Sequence, residues 1–368
     1  MITNDGKQII AKFMLGQAPT FASHIAAGCG ADPSTLQSSI SPTKKSLDFE
    51  VFRVPILSKG FIKEDGVEKL VFKAEMPNDQ RYKITEVGVY PGINNVVAGR
   101  YDSKMLVTFS SGESWTYSDS VSASSVPYPN IPIDQGNTSA SINSSTPDFV
   151  FINSDSTIFN NSQRVSKKES PRYLNRSLLV SGSSSYIGSG YTVSSGSKYL
   201  QNSNIGIDLS QNLPEDEIKL AFSIVGRYAN SNSTPNDIRI ILQFVNNVSN
   251  STTEPPIATA RFALNGGSIG SNRYRVMTKK ISEFVTDPTF SWANINLIKI
   301  YTSCSNSTVP TNEYFILFDG IRIENVSATN PLYSLVGYNI IKTNNGDPVL
   351  KSENTNNYLE YRFGVGVS

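Results

Sequence analysis

The sequence predicts a mainly β protein: a small α+β domain, then a two-sheet β-sandwich of jelly-roll form, then an extended C-terminal tail. Three observations carry this reading. Charged residues are only 17% of the 368-residue chain while Ser, Asn, Thr and Gly abound, a mixture that suits polar-faced strands and turns better than long surface helices. An amphipathic helical period stands at the N-terminus. From residue 173 onward, short apolar or alternating runs recur between Ser/Asn/Gly/Pro turns, which is the spacing of a sandwich.

In the first segment Asn4 or Asp5 is placed to cap exposed amides, Ile9, Ile10, Phe13 and Met14 share one side of a helix, and Gly16 with Pro19 ends the run. The following PTFASHIAAGCGADP alternates Phe21, Ser23, Ile25 and Ala27 with Ala22, His24 and Ala26 until Gly28, Gly30 and Pro33 force a turn. Small inward residues let a helix pack closely over such a strand. LDFEVFRVPI at 47–56 and VEKLVFKAEM at 67–76 read as strands around the turn signal EDG. YKITEVGVYP at 82–91 sets Tyr82, Ile84, Glu86 and Gly88 against Lys83, Thr85, Val87 and Val89, with Gly88 and Pro91 marking a bend or sheet edge. NNVVAGRY and KMLVTFS add short strands, completing a helix on a mainly antiparallel sheet over residues 1–112.

Residues 113–172 hold no period and are dense in Ser, Asn and Pro, so they read as a connector, either loose or ordered by a partner. Residues 173–327 supply RSLLVSG, NIGIDLS, EIKLAFSIVGRY, DIRIILQFV, IATARFAL, NRYRVMTKK, NINLIKIYTS and EYFILFDGIRIENV as sandwich strands. The tail, 328–368, stays apolar and aromatic, and YNIIKTNNGDPVL has the form of a hairpin around Asn345 and Gly346. Such a tail needs a surface, on its own chain or on a neighbouring subunit.

A net charge of +1, from 32 basic and 31 acidic residues with no basic block, argues against nucleic-acid binding, which needs excess positive charge facing phosphates. No run of apolar residues is long enough for a membrane span or a secretory signal, so a soluble protein made in a cytoplasm is expected. Cys29 and Cys304 lie far apart, and neither a disulfide scaffold nor zinc-ligand spacing results.

Catalytic motifs are lacking. His24, the single histidine, has no evident nucleophile or metal-ligand partner. Cys29, between glycines, has no basic partner to hold a thiolate, and AAGCGADP has neither phosphate-loop spacing nor a following βαβ unit. Glu75, Asp208, Asp237, Asp319 and Glu324 lie on or near strands, yet nothing pairs two of them across a sugar groove. No catalytic residue, cofactor or metal site is therefore assigned. For sugar recognition without chemistry, Tyr228, Tyr274, Trp292 and Tyr301 are the available aromatics of the sandwich.

The stretch from NDGKQIIAKFMLGQAPTFASHIAAGCGA through LDFEVFRVPI, KLVFKAEMP and YKITEVGVYP to VVAGRY resembles the N-terminal attachment domain of tailed-phage tail-collar, tail-fibre and baseplate proteins. In that family a helix is followed by a phrase like ITHIAVGDG, then by strands ending in a phrase like FTIREIGLY. The corresponding pieces are ASHIAAGCG at 22–30 and YKITEVGVYP at 82–91. Cys29 departs from the acidic residue that the family tends to carry there. The closing YFILFDGIRIENV at 314–326 looks like the last strand of jelly-roll carbohydrate-binding modules, a likeness of fold rather than function.

The resemblance implies a structural, non-enzymatic virion protein, assembled in the host cytoplasm, that docks on the tail or baseplate and presents its sandwich for assembly or host-surface contact. The implied partners are other tail or baseplate proteins, further copies of the chain with a trimer among the options, and a host-surface glycan, without nucleic acid or membrane insertion. Glu86, Trp115, Tyr333, Tyr338, Tyr361 and Phe363 are then the expected assembly contacts. A glycan-binding or glycan-cleaving protein using the jelly-roll groove, and a capsid decoration protein, are the alternatives.

Overall fold

In the computed structural model, residues 1–102 join 325–368 in one unit, and residues 103–324 make a second. The structure describes residues 1–18, 20–30, 41–78, 81–91, 104–108, 115–119, 122–128, 139–142, 149–153, 157–160, 163–164, 176–181, 198–202, 206–226, 238–246, 255–264, 274–304, 314–325 and 334–364.

In chain order the first unit starts with α1 (Asn4–Met14), β1 (His24–Gly28), β2 (Glu50–Pro55), β3 (Ser58–Glu64), β4 (Val67–Glu75), β5 (Tyr82–Ile84) and β6 (Glu86–Tyr90). The second unit holds β7 (Lys104–Thr108), β8 (Trp115–Asp119), β9 (Ser122–Tyr128), β10 (Ser139–Ile142), β11 (Phe149–Asn153), β12 (Thr157–Asn160), β13 (Gln163–Arg164), β14 (Arg176–Ser181) and β15 (Lys198–Asn202). It continues through β16 (Glu217–Gly226), β17 (Ile238–Asn246), β18 (Ile257–Leu264), β19 (Tyr274–Lys280), β20 (Val285–Thr286), β21 (Ile295–Cys304) and β22 (Tyr314–Glu324). The chain then re-enters the first unit as β23 (Gly337–Ile340), β24 (Val349–Lys351) and β25 (Tyr358–Gly364).

The first unit is built from both chain ends. Its four-stranded sheet runs β2-β1-β6-β23, β24 pairs with β5, and a further sheet runs β25-β4-β3. All pairings are antiparallel. The tail therefore docks on its own chain. Its turn at Gly346 forms as expected, but β23 and β24 do not pair with each other; each adds to half of the 82–90 stretch, which breaks at Thr85 into β5 and β6. β6 consequently lies between two strands and is buried at every position, so Gly88 stands in the middle of a central strand and not at a bend or sheet edge. Gly88 is required by the tail: a Cβ there would lie 2.3 Å from Leu335 Cδ2. Gly6 has the same role on α1, where a Cβ would lie 2.2 Å from the Val336 carbonyl oxygen.

α1 is capped by Thr3 rather than Asn4 or Asp5. The Thr3 hydroxyl accepts from Gly6 N at 2.9 Å and donates to the Leu335 carbonyl, so the helix start is itself tied to the tail. The predicted apolar face splits: Ile9 is buried, but Phe13, Met14 and Leu15 at the helix end are exposed.

The second unit is a β-sandwich. One sheet runs β11-β14-β22-β16-β19, with β7 also pairing with β22, and the other runs β20-β18-β17-β21-β15-β8-β9. Ile218, Leu220, Phe222, Ile321 and Ile323 from the first face Ile240, Leu242, Phe244, Phe262 and Ile300 from the second in one core. These are the period-two residues of the runs read as strands, and strands of that pattern bury one face. NIGIDLS contributes an isolated bridge, Ile207 to Ile295, instead of a strand. KMLVTFS belongs to this unit and not to the first sheet, because Lys104–Thr108 pairs with β22. The 113–172 connector carries β8 to β13, whose backbone groups are satisfied by neighbouring strands and not by an apolar period of their own.

Gly88→Ala is expected to destabilise the chain by about 1–3 kcal/mol through overpacking against Leu335. Denaturant unfolding of Gly88→Ala, Leu335→Ala and the double variant should show the double variant to be less destabilised than the sum of the singles.

Candidate functional site

The two phrases ASHIAAGCG and YKITEVGVYP become neighbours: β1 pairs with β6, with Gly28 opposite Glu86 and His24 opposite Tyr90. Glu86 has no exposed surface, and four donors surround its carboxylate. Oε1 accepts from Phe49 N at 2.9 Å and Gly30 N at 3.2 Å, while Oε2 accepts from Asp48 N at 2.9 Å and from the Tyr338 hydroxyl at 3.3 Å. A buried carboxylate needs such a donor set, since burial without it costs several kcal/mol or more.

The glycines make room for it. A Cβ on Gly28 would come within 2.5 Å of both Glu86 Oε1 and the Phe49 carbonyl oxygen, and one on Gly30 within 2.6 Å of Phe49 N. Around the carboxylate, Lys44 bonds Asp48 at 2.6 Å and lies 4.5 Å above the Tyr338 ring. Leu47, Ala26, Tyr90, Leu335 and Tyr338 pack as one apolar cluster. Arg53 stacks over Tyr90 at 3.7 Å while paired with Glu50 at 2.7 Å.

Burial raises Glu86 most, and the Asp48 charge adds to this; Lys44 and the amides of Phe49 and Asp48 pull the other way, leaving it at about 7 against an ordinary 4.5. Burial, then the Glu86 charge, pushes the Tyr338 hydroxyl far above its usual range, so it is a donor at any physiological pH. The arrangement is a structural lock: one buried carboxyl group is held by donors from three separate stretches of the chain.

Several expected contacts are corrected by burial. Glu86, Tyr338, Tyr361 and Phe363 are inside the first unit and not on an assembly surface: strand pairing of the tail turns Tyr338 toward Glu86 and sets Phe363 against Phe72 at 5.4 Å. Tyr274 is buried on β19, and Trp292 packs edge-on against Phe290 at 5.0 Å and Phe284 at 5.5 Å beside the sandwich core. Neither is an open platform. Tyr301 pairs in register with Ile241, and Trp115 with Tyr128 and Asn202. Tyr228 and Tyr333 lie outside the described residues.

The sandwich offers a second candidate face. Because Leu242, Ala258, Ala260, Ile298 and Ile300 point into the core, strand alternation turns Gln243, Thr259 and Lys299 to the opposite side, where they stand in one cross-strand row. Gln243 donates to Thr259 at 3.1 Å, and Arg261, opposite Ile241, stands in the adjoining row. Gln243 and Thr259 are buried there and bonded to each other, so the groups of this face that are only half-buried are the cations of Lys299 and Arg261. On the other sheet's outer side, Arg322 and Glu324 form a buried pair at 2.8 Å with Lys219 opposite Arg322. Among the described residues no group of three His, Cys, Asp or Glu is placed to hold a metal ion, and no described helix is long and apolar enough to cross a membrane.

No protein-family model and no curated protein matches the chain. Among solved structures it is similar to a family 11 carbohydrate-binding module from Clostridium thermocellum in complex with a β-1,3-1,4-mixed-linked tetrasaccharide, at 10% identity and a TM-score of 0.30, over 62% of this chain and 98% of that one. It is also similar to SGBP-B from a complex xyloglucan utilization locus in Bacteroides uniformis, at 15% identity and a TM-score of 0.28, over 83% and 92% of the two chains. Likenesses this remote say nothing of what this chain binds.

A folded value above the unfolded one means that the Glu86 contribution to stability is full below pH 4.5 and is lost as pH rises through about 7. His24, lowered by burial and then by Arg53, runs in the opposite sense. Unfolding free energies of the native chain and of Glu86→Gln at about pH 5 and about pH 8 separate the two, because His24 is common to both. The native chain should lose on the order of 3 kcal/mol more than the variant across this window; equal pH slopes would contradict the assignment.

Proposed function

We propose that this chain is a non-catalytic attachment protein of a tailed phage, whose first unit docks on the tail or baseplate and whose inserted sandwich meets another virion protein or the host surface. The observation that carries this is the closure of the first unit by both chain ends: Met1–Thr3 and β23 complete the sheet that holds the two resembling phrases, so residues 103–324 enter as an insertion. Of the large apolar side chains exposed among the described residues, nine of eleven lie in the first unit, including Phe13, Met14, Leu15, Leu57 and Phe61. Exposed apolar surface of this kind supports a docking role.

A second reading, that the sandwich itself takes a glycan, has the half-buried cations Lys299 and Arg261 as its polar contacts, beside the buried Gln243–Thr259 pair. The two readings are compatible, since they use different units.

Co-sedimentation of the purified full chain with tails assembled without it tests the proposal. The chain should bind, and the paired change Met14→Asp and Leu15→Asp should weaken binding roughly tenfold or more. On a glycan array, any binding should fall with Arg261→Ala and Lys299→Ala. A monomeric chain that binds no tail component but releases sugars from an envelope glycan would overturn the attachment reading.

A further inference from the structure

We propose that the open edge of β3 accepts a strand from another protein, whose residues run acidic, apolar, acidic opposite Lys59, Phe61 and Lys63. This rests on the reading of the first unit as an anchor and names the chemistry of its partner. β3 is the terminal strand of the sheet β25-β4-β3, with no strand on its outer side among the described residues. Asp65 and Gly66, with φ of 53° and 78°, form a two-residue turn between Glu64 and Val67, which face each other in register. Both central residues in the left-handed region make this a type I′ hairpin, and the pair flanking such a turn exchanges both backbone hydrogen bonds, as does every second pair beyond it. Glu64, Ile62, Gly60 and Ser58 thus direct their amides and carbonyls to β4. Those of Lys63, Phe61 and Lys59 turn to the edge, where a row of unpaired groups is a template for a further strand.

The side chains of the same three residues select the partner. All three are exposed, Phe61 at 56%, and strand alternation puts them on one face. Neither lysine belongs to an ion pair among the described residues. Two copies of β3 paired antiparallel about Phe61 would set Lys59 against Lys63 twice, and in-register parallel pairing would also oppose like charges. The edge is thus charged against its own copy and complementary to a strand bearing two carboxylates. The apolar position is also supported: Phe61 faces Leu70, and on that face Phe72 meets Phe21 at 6.1 Å, which meets Phe13 at 5.1 Å. The end of α1, with Met14 and Leu15 80% and 72% exposed, therefore lies on the face that the partner's apolar residue would join.

Residue-resolved amide exchange of the full chain, alone and with a capped peptide of about nine residues containing Glu-Thr-Val-Thr-Glu, tests this against the same peptide with Lys for Glu. In the chain alone, the amides of Lys59, Phe61 and Lys63 should exchange quickly and those of Gly60, Ile62 and Glu64 slowly. The Glu peptide should slow the first set and bind roughly tenfold tighter than the Lys peptide. The double variant Lys59→Glu, Lys63→Glu should reverse that preference while leaving Gly60 and Ile62 protected. Equal binding of both peptides, no slowing at Lys59, Phe61 and Lys63, or an unchanged preference in the double variant would overturn the inference. If tails bind the double variant as tightly as the native chain, the edge inference falls and the anchor reading stands. If the Glu peptide binds the edge but tails do not bind the chain, the anchor reading falls alone.

Discussion

A single buried carboxyl group organises the first unit. The Glu86 carboxylate has no water to solvate it, so each of its oxygens must be met by donors from the protein. Those donors come from three separate stretches: Gly30 just after β1, Asp48 and Phe49 just before β2, and Tyr338 in the returning tail. Satisfying one carboxylate thereby fixes the turn after β1, the entry to β2 and the position of β23. The requirement extends to residues that make no bond to it, since Gly28 and Gly30 must lack a Cβ for the carboxylate and the 48–49 backbone to approach.

Closure of the chain on itself follows from the same constraint. Met1 donates its amino group to the Tyr338 carbonyl at 3.0 Å, Thr3 N bonds Val336 O at 3.0 Å, and Leu335 fills the space above Gly88. The two ends of the chain become one folded unit, and the sandwich is left with a core of its own, built from β16, β17, β18, β21 and β22. The Glu86 donor set lies wholly in the first unit and the sandwich core wholly in the second.

Much of the fold was legible because strand burial writes itself into the sequence with period two. EIKLAFSIVG and DIRIILQFV read as strands, and in the structure their alternate residues Ile218, Leu220 and Phe222, and Ile240, Leu242 and Phe244, form the core. The helix and the turns at Gly16, Gly66 and Gly346 followed from local chemistry, with positive φ at all three. The Glu86 site was not legible in this way. A carboxylate on a strand has the same alternation whether it faces solvent or a ring of amides, and its donors are 37 to 252 residues away. Glycines at 28, 30 and 88 were the available signal, because glycine inside a strand region marks close approach of another group. The strands of the 113–172 stretch were hidden for the opposite reason: their pairing comes from neighbours, and Ser/Asn-rich segments carry no apolar period to reveal it. The aromatics of the sandwich misled similarly, for Trp292 in a core stack and a Trp on an open sugar platform read identically in one dimension.

If Glu86 ties the chain together, its first and last segments fold as one cooperative unit. Native-state hydrogen exchange of the full chain measures this directly, since residues that open together exchange with a common free energy. One shared value is expected for the amides of β1, β6 and β23, lowered together by Glu86→Gln, with β16, β17 and β22 unaffected. Rapid exchange throughout 337–340 beside a protected β1 would contradict it.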